Sequence, residues 1–144
     1  MDKKRKACTE YALYASGVSA AGNMIPVPGL GVAVDLVAIV AAMKVIRNDF
    51  NLTEARLDKF VMLAPNITPM VNSIINYATT EGAVQLVKRF AVGQAVTEIA
   101  KYFPGIGTIV AGSISFAITL LILNFYIDDC YEIASEMLSK HFVF

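Results

Sequence analysis

The sequence predicts an all-α fold, a compact single domain of five to six helices over residues 1–144. Two segments carry this prediction: 32–43, which holds a single aspartate, and 108–127, which holds no charged residue. Both are far too long for strands, and each follows a Pro-Gly-x-Gly corner. Proline at such a corner ends one helix and pre-sets φ for the next. We therefore expect two long apolar helices, buried in a core or in a membrane.

The two corners share one residue pattern. Their prolines and glycines are Pro28, Gly29, Gly31, Pro104, Gly105 and Gly107. Each Gly-x-Gly looks like half of a dinucleotide-binding fingerprint, but neither follows a predicted strand and both lack the third glycine. We interpret these residues as structural corners rather than as a cofactor site.

Composition limits the classes of partner. Lys plus Arg number 12 and Asp plus Glu number 12, so no strong field favours nucleic acid. Apolar residues make up 56% of the chain and charged residues 17%, against roughly 25% charged in ordinary domains. A surface with so little charge is expected to contact a partner protein, a neighbouring domain or a membrane. Cys8 and Cys130 are interpreted as small core residues in a reducing compartment, which predicts a cytoplasmic location.

The first helix is predicted over about 4–21 from its small and aromatic residues. Four basic residues at 3–6 precede it, and we expect residues 1–8 to be a solvated basic tail or linker. A nuclear-localisation cluster is the alternative interpretation. Thr9 and Glu10 interrupt the join to the apolar segment, which argues against a secretory signal.

The second helix is predicted from near Pro28 to about Arg47, with apolar residues around its whole circumference. Asp35 lies in its early turns. We interpret this carboxylate as a cap or a structural ion pair, because no second carboxylate or histidine lies at catalytic spacing.

Two shorter helices follow. Asn51 and Glu54 form a capping-box pattern that predicts a third helix from Asn51 to about Leu63. Pro65 ends it, and Thr68 with the next proline predicts a short helix through residue 77.

Residues 79–82 are predicted to be a linker, and 83–103 form the clearest amphipathic helix of the chain. Lys88, Arg89 and Phe90 are its candidate contact with a membrane or a partner. The alternative is a helix that packs on the core and exposes a solvated face, since both give the same pattern.

The last helix is predicted from Gly107 to about Lys140. Its uncharged part, with the preceding corner, is long enough to cross a bilayer, whose core needs about 20 residues. Glycine, serine, threonine and asparagine residues dilute its hydrophobicity, which favours burial in a helical core. A small integral membrane protein with a two-helix apolar hairpin remains the alternative.

Motifs for catalysis, cofactors and metals are missing from the sequence. It has no Gly-x-x-x-x-Gly-Lys-Ser/Thr phosphate loop, and His141 is its single histidine. The sequence therefore predicts a chain that is not an enzyme and that binds no cofactor or metal.

Three segments resemble the C-terminal helical region of the interferon-inducible immunity-related GTPases. They are NMIPVPGLGVAVD at 23–35, FNLTE at 50–54 and KYFPGIGTIVAGSISF at 101–116. The resemblance implies an all-helical module that packs beside a GTP-binding domain. It also implies proteins that act at intracellular membranes, including pathogen-containing vacuoles, during cell-autonomous innate immunity and autophagy.

The chain departs from this family because the nucleotide-binding domain is missing, so catalysis is not carried over. In some relatives an amphipathic helix of this region directs membrane targeting, and 83–103 is the matching segment here. The resemblance thus implies a non-catalytic helical domain, cytoplasmic or peripheral on intracellular membranes. The partners left open are an anionic membrane surface, a GTPase domain or other protein, and a second copy of the chain; nucleic acid is not expected.

Overall fold

A computed structural model describes residues 2–21, 25–27, 32–91 and 110–140. Within these ranges the chain forms six α-helices and a two-stranded ribbon, so the predicted all-α fold is confirmed. The elements are α1 (Asp2–Ala21), β1 (Ile25–Val27), β2 (Val32–Val34), α2 (Leu36–Asp49), α3 (Glu54–Leu63), α4 (Thr68–Tyr77), α5 (Thr80–Ala91) and α6 (Val110–Ser139). A 3-10 turn, Pro65–Ile67, joins α3 to α4. The six corner residues at 28–31 and 104–107 lie outside the described residues.

Helix α6 is the centre of the fold. It packs against α1, α2, α4, α5 and β2. Its buried side chains come from successive turns and include Ile118, Ile122, Tyr126, Cys130 and Ile133. Among the described residues, no helix is long and apolar enough to cross a membrane. The side chains from Ala117 to Ile127 are buried or partly buried, so this part of the last apolar segment lies in the core, as the favoured interpretation predicted.

Helix α1 begins at Asp2, so the structure corrects the expectation of a basic tail or linker over residues 1–8. Cys8 and Ala12 lie one turn apart and are both fully buried. They belong to a narrow stripe that α1 turns toward α6, while Lys3 and Lys6 are exposed. Lys3 and Lys6 thus belong to the solvated face of a docked helix.

Polar contacts hold the start of α1 on α6. The Arg5 Nη2 atom lies 2.7 Å from Asp128 Oδ1, and the Arg5 guanidinium lies 4.6 Å from the centre of the Tyr131 ring. The Tyr131 hydroxyl donates to Asp2 Oδ1 at 2.9 Å. Because both members of the ion pair are largely exposed, it contributes about 0–1 kcal/mol. These contacts orient α1, and apolar burial supplies most of the stability.

Helix α2 begins at Leu36, and its predicted start near Pro28 is wrong. The residues Val32–Val34 are instead a strand, paired antiparallel with β1. Helix α2 also contains β-branched residues, so it is the pairing with β1, and not local propensity alone, that holds this part of the apolar run extended. The Asp35 carboxylate accepts a hydrogen bond from Ala38 N at 3.0 Å, so the cap interpretation of Asp35 is confirmed.

Helix α3 is capped by Thr53 rather than by the predicted Asn51. The Thr53 hydroxyl accepts from Arg56 N at 3.4 Å. Asn51 has φ of 57°, a left-handed conformation that asparagine tolerates better than most residues. This turn lets Leu52 point inward, where it is fully buried. The helix therefore starts three residues later than the capping-box pattern indicated.

Helix α5 starts inside the predicted linker 79–82. The Thr79 hydroxyl accepts a hydrogen bond from Gly82 N at 3.1 Å, which caps the helix. Gly82 is buried against the end of α4: a Cβ atom built on it would lie 2.0 Å from the carbonyl oxygen of Asn76. The glycine thus permits close approach of two helices. Residues 92–103 of the predicted helix lie outside the described residues.

We predict that Gly82→Ala destabilises the chain. Alanine is favoured over glycine in a helix by about 1 kcal/mol, but the new methyl group would overlap backbone atoms of α4. Separating two packed helices to relieve that overlap costs more, so we expect a net loss of about 2 kcal/mol. Urea denaturation measures it.

Gln85→Ala is the matched control, because Gln85 is an exposed residue of the same helix. It should change the free energy of unfolding by less than about 0.5 kcal/mol. A Gly82→Ala protein as stable as the parent would contradict the close contact between α4 and α5.

Candidate functional site

Lys88, Arg89 and Phe90 lie at the boundary between the buried face of α5 and its solvent-exposed face. Ala83, Leu86 and Val87 on one face are buried in the core. Lys88 and Arg89 are exposed, and Phe90 is partly buried against the core. The helix therefore packs on the core and also presents two cations to solvent. The described part of α5 combines features of both sequence interpretations.

Three aromatic rings from three helices contact one another beside Arg89. Phe125 of α6 contacts Phe90 edge to face, with ring centres 5.5 Å apart. It also contacts Tyr77 of α4 edge to face, with ring centres 5.8 Å apart. Such pairs contribute about 0.5–1.5 kcal/mol beyond the area they bury. The rings fix the end of α4, the middle of α6 and the outer face of α5 relative to one another.

Arg89 lies over two of these rings. Its guanidinium carbon is 5.0 Å from the centre of the Phe125 ring and 5.8 Å from that of Phe90. At an exposed position such a cation–π contact contributes about 0.5–1 kcal/mol. The contact restricts the Arg89 side chain. It does not occupy the guanidinium N–H groups, which remain able to donate hydrogen bonds. We call Tyr77, Lys88, Arg89, Phe90 and Phe125 together the basic-aromatic site.

An acidic group borders the basic-aromatic site. Asp129 follows Phe125 by one turn of α6 and lies on the same side of that helix. Partial burial and repulsion from Glu132 and Asp128 raise the pKa of the Asp129 carboxyl, and attraction to Arg89 opposes this shift. Arg89 thus lies near a carboxylate on one side, and the side chains of both Lys88 and Arg89 are exposed.

The two cysteines lie in the interior beside polar groups. The Cys8 thiol donates a hydrogen bond to Asp49 Oδ2 at 3.8 Å. Burial, followed by the charge of Asp49, raises the pKa of the Cys8 thiol from 9.0 to about 11. Burial also raises the pKa of Cys130. A nucleophilic cysteine needs a lowered pKa and access to solvent, so both thiols behave as core residues, as predicted.

Tyr126 is the largest buried polar side chain near these thiols. Its hydroxyl donates to the carbonyl oxygen of Ile74 at 2.7 Å. Burial raises the pKa of this phenol, so it stays protonated. The bond joins α6 to α4 and has a structural role. Within the described part of the chain, no cluster of three or more His, Cys, Asp or Glu side chains is placed to hold a metal ion.

Comparison with known proteins identifies no relative of this chain. No protein-family model matches it, and the comparisons with curated proteins and with solved structures also give no match. The resemblance to immunity-related GTPases therefore stays a prediction based on the three sequence segments.

Sequence reasoning identified Lys88, Arg89 and Phe90 but missed Phe125 and Tyr77. Phe125 lies in an uncharged run in which many other apolar residues are equally plausible contacts. Its position beneath Arg89 depends on how α5 and α6 cross. No local sequence signal could therefore have selected these two rings.

We predict that stability falls as pH rises above the ordinary thiol pKa, partly because of Cys8. The folded thiol keeps its proton up to a pKa of about 11, whereas the unfolded thiol loses it near 9.0. The folded state binds more protons in this window. The contribution is complete below pH 9 and is lost as pH rises toward 11.

Urea denaturation of the parent and of Cys8→Ala between pH 7 and about pH 11 measures this effect. Between pH 9 and about pH 11 the variant should lose less free energy of unfolding than the parent. Below pH 9 the free energies of unfolding of the two proteins should change in parallel. Other groups titrate equally in both proteins and cancel in the difference. Parallel curves over the whole range would show that the folded and unfolded states share one Cys8 pKa.

Proposed function

We propose that this chain is a non-catalytic helical domain that associates with anionic membrane surfaces through the basic-aromatic site. The observation that supports it is the placement of Lys88 and Arg89. Both are exposed on a helix whose opposite face is buried, and Arg89 is held over Phe90 and Phe125. Two neighbouring cations on a helix that is packed on the core are complementary in charge to the phosphates of an anionic lipid surface.

The physical chemistry favours attachment by charge rather than by insertion. The apolar side chains of the described α5 are engaged in the core, so they do not enter a bilayer while the domain is folded. Each basic residue near an anionic membrane contributes about 1 kcal/mol, and salt screens this attraction over roughly 10 Å. Two residues give weak, reversible and salt-sensitive association.

The resemblance to immunity-related GTPases supplies the biological setting of the proposal. In that setting the domain packs beside a GTP-binding domain and acts at intracellular membranes in cell-autonomous immunity or autophagy. The nucleotide chemistry would belong to the other domain. The helical domain would contribute membrane or protein contacts.

We predict that charge reversal at this site weakens binding to anionic vesicles. The parent and a Lys88→Glu, Arg89→Glu variant are mixed with phosphatidylcholine vesicles with or without phosphatidylserine, at low and at physiological salt. Flotation of the parent should require phosphatidylserine and fall with salt, because the attraction is electrostatic. The variant should float poorly under all conditions.

Two controls accompany this measurement. A Lys6→Glu, Lys44→Glu variant makes the same change in net charge at exposed positions on α1 and α2, and it should float nearly as well as the parent. Lys88→Glu alone keeps the Arg89 contacts with the rings, so it separates loss of charge from disturbed packing. Equal flotation of all variants would reject the proposal, and salt-independent flotation would favour insertion through 105–127.

The isolated chain should not bind GTP, because its sequence lacks the phosphate loop that holds nucleotide phosphates. Isothermal titration calorimetry with magnesium and GTP is the direct measurement. Micromolar affinity would contradict the assignment of nucleotide chemistry to a separate domain.

A further inference from the structure

The Asp129 carboxyl group lies beside the basic-aromatic site. Asp129 follows Phe125 by one turn of α6, so the two side chains leave the same side of that helix. The Arg89 guanidinium lies over the Phe125 ring, 5.0 Å from its centre, and it also attracts the Asp129 carboxylate. The cation and the carboxylate are therefore neighbours of the same aromatic ring.

The other charges near Asp129 come from α6 and from the helices packed against it. Partial burial, followed by repulsion from Glu132 and Asp128, raises the pKa of the Asp129 carboxyl above its ordinary value of 3.8. Asp128 is itself paired with Arg5 of α1 at 2.7 Å. Arg89 of α5 is the cation whose attraction opposes the shift, so it is the basic residue linked to the protonation of Asp129.

The remaining elements packed on α6 present other titratable groups. Arg47 of α2 and Asp129 both act on the side chains of Tyr126 and Cys130, which are fully buried. The sequences of α4 and β2 contain no Asp, Glu, Lys or Arg, and Tyr77 is the titratable side chain that α4 places at the site. Burial raises the pKa of the Tyr126 phenol and of the Cys130 thiol, so both keep their protons in the range where a carboxyl titrates.

We propose that protonation of the Asp129 carboxyl strengthens the binding of the basic-aromatic site to an anionic lipid surface. This inference rests on the proposed membrane function and gives it a regulator. As a carboxylate, Asp129 offsets part of the Arg89 charge and repels lipid phosphates. As a neutral carboxyl it does neither, so Lys88 and Arg89 both attract the lipid surface at full charge.

The direction of the pH dependence follows from this arrangement. Binding should increase as pH falls through the pKa of Asp129, which lies above 3.8. An anionic membrane also attracts protons to its surface, so the carboxyl is protonated more readily there than in solution. Because binding and protonation favour each other, association with the membrane is accompanied by proton uptake at Asp129.

Flotation with vesicles that contain phosphatidylserine, over a series of pH values, tests the proposal. At neutral pH, Asp129→Asn should bind about fivefold more tightly than the parent, because one unit of charge near such a surface changes binding by about that factor. This excess should shrink as pH falls, since Asp129 of the parent then becomes neutral as well. Circular dichroism checks that the variant is folded.

Asp58→Asn is the matched control. It makes the same change in net charge at an exposed position on α3. Because salt screens charges that lie more than about 10 Å from the membrane contact, its binding should change by less than about twofold. Carboxyl groups other than these two titrate equally in all the proteins and cancel in the comparison.

A titration without lipid tests the link between Asp129 and Arg89 separately. NMR of the side-chain carboxyl carbons gives the pKa of Asp129 in the parent and in Arg89→Gln. Loss of the attraction from Arg89 should raise the pKa of Asp129 further. In an Arg89→Gln background, Asp129→Asn should also have a smaller effect on vesicle binding.

The outcomes distinguish this inference from the proposed function. An Asp129 pKa that is the same in the parent and in Arg89→Gln would overturn the inference, whatever the vesicles show. A parent that floats, with Asp129→Asn and Asp58→Asn binding equally, would overturn the inference and leave the proposed membrane function standing. A parent that floats at no pH would overturn the proposed function, and the inference with it.

Discussion

The burial of α6 is the constraint on which the other elements depend. The part of α6 before Asp128 is apolar on all sides and cannot be stabilised by one neighbour, because any uncovered side leaves apolar surface in water. In this chain α1, α2, α4 and α5 all pack against it. Each of them contributes only a narrow apolar stripe, such as Cys8 and Ala12 on α1. The opposite faces of these surrounding helices remain available for charged residues.

The basic-aromatic site follows from this arrangement. Arg89 is positioned because Phe125 projects from α6 toward α5, and α5 is brought close to α4 by the absence of a side chain at Gly82. The proposed surface therefore presents two cations, and the partner that it fits is an anionic lipid surface.

The same burial explains why the interior polar groups act in folding rather than in chemistry. Cys8 is kept protonated beside Asp49, and Tyr126 gives its hydroxyl proton to a backbone carbonyl on α4. A buried donor that is satisfied in this way ties two helices together without offering a reactive atom. The composition had indicated a chain that acts through contacts, and the basic-aromatic site is proposed as a contact surface.

The sequence by itself determined the all-α class. It favoured burial of the last apolar segment over a membrane span, limited Asp35 to a cap or a structural ion pair, and placed Lys88 and Arg89 on the polar side of an amphipathic helix. These features depend on residue periodicity and on local hydrogen bonds, both of which are determined by residues close together in the sequence. The tertiary structure decided that residues 2–8 are a docked helix, because their stripe is visible only against α6. It likewise decided that Val32–Val34 pairs as a strand and that Phe125 lies under Arg89. Strand pairing and helix crossing join residues far apart in the chain, so local patterns do not contain them.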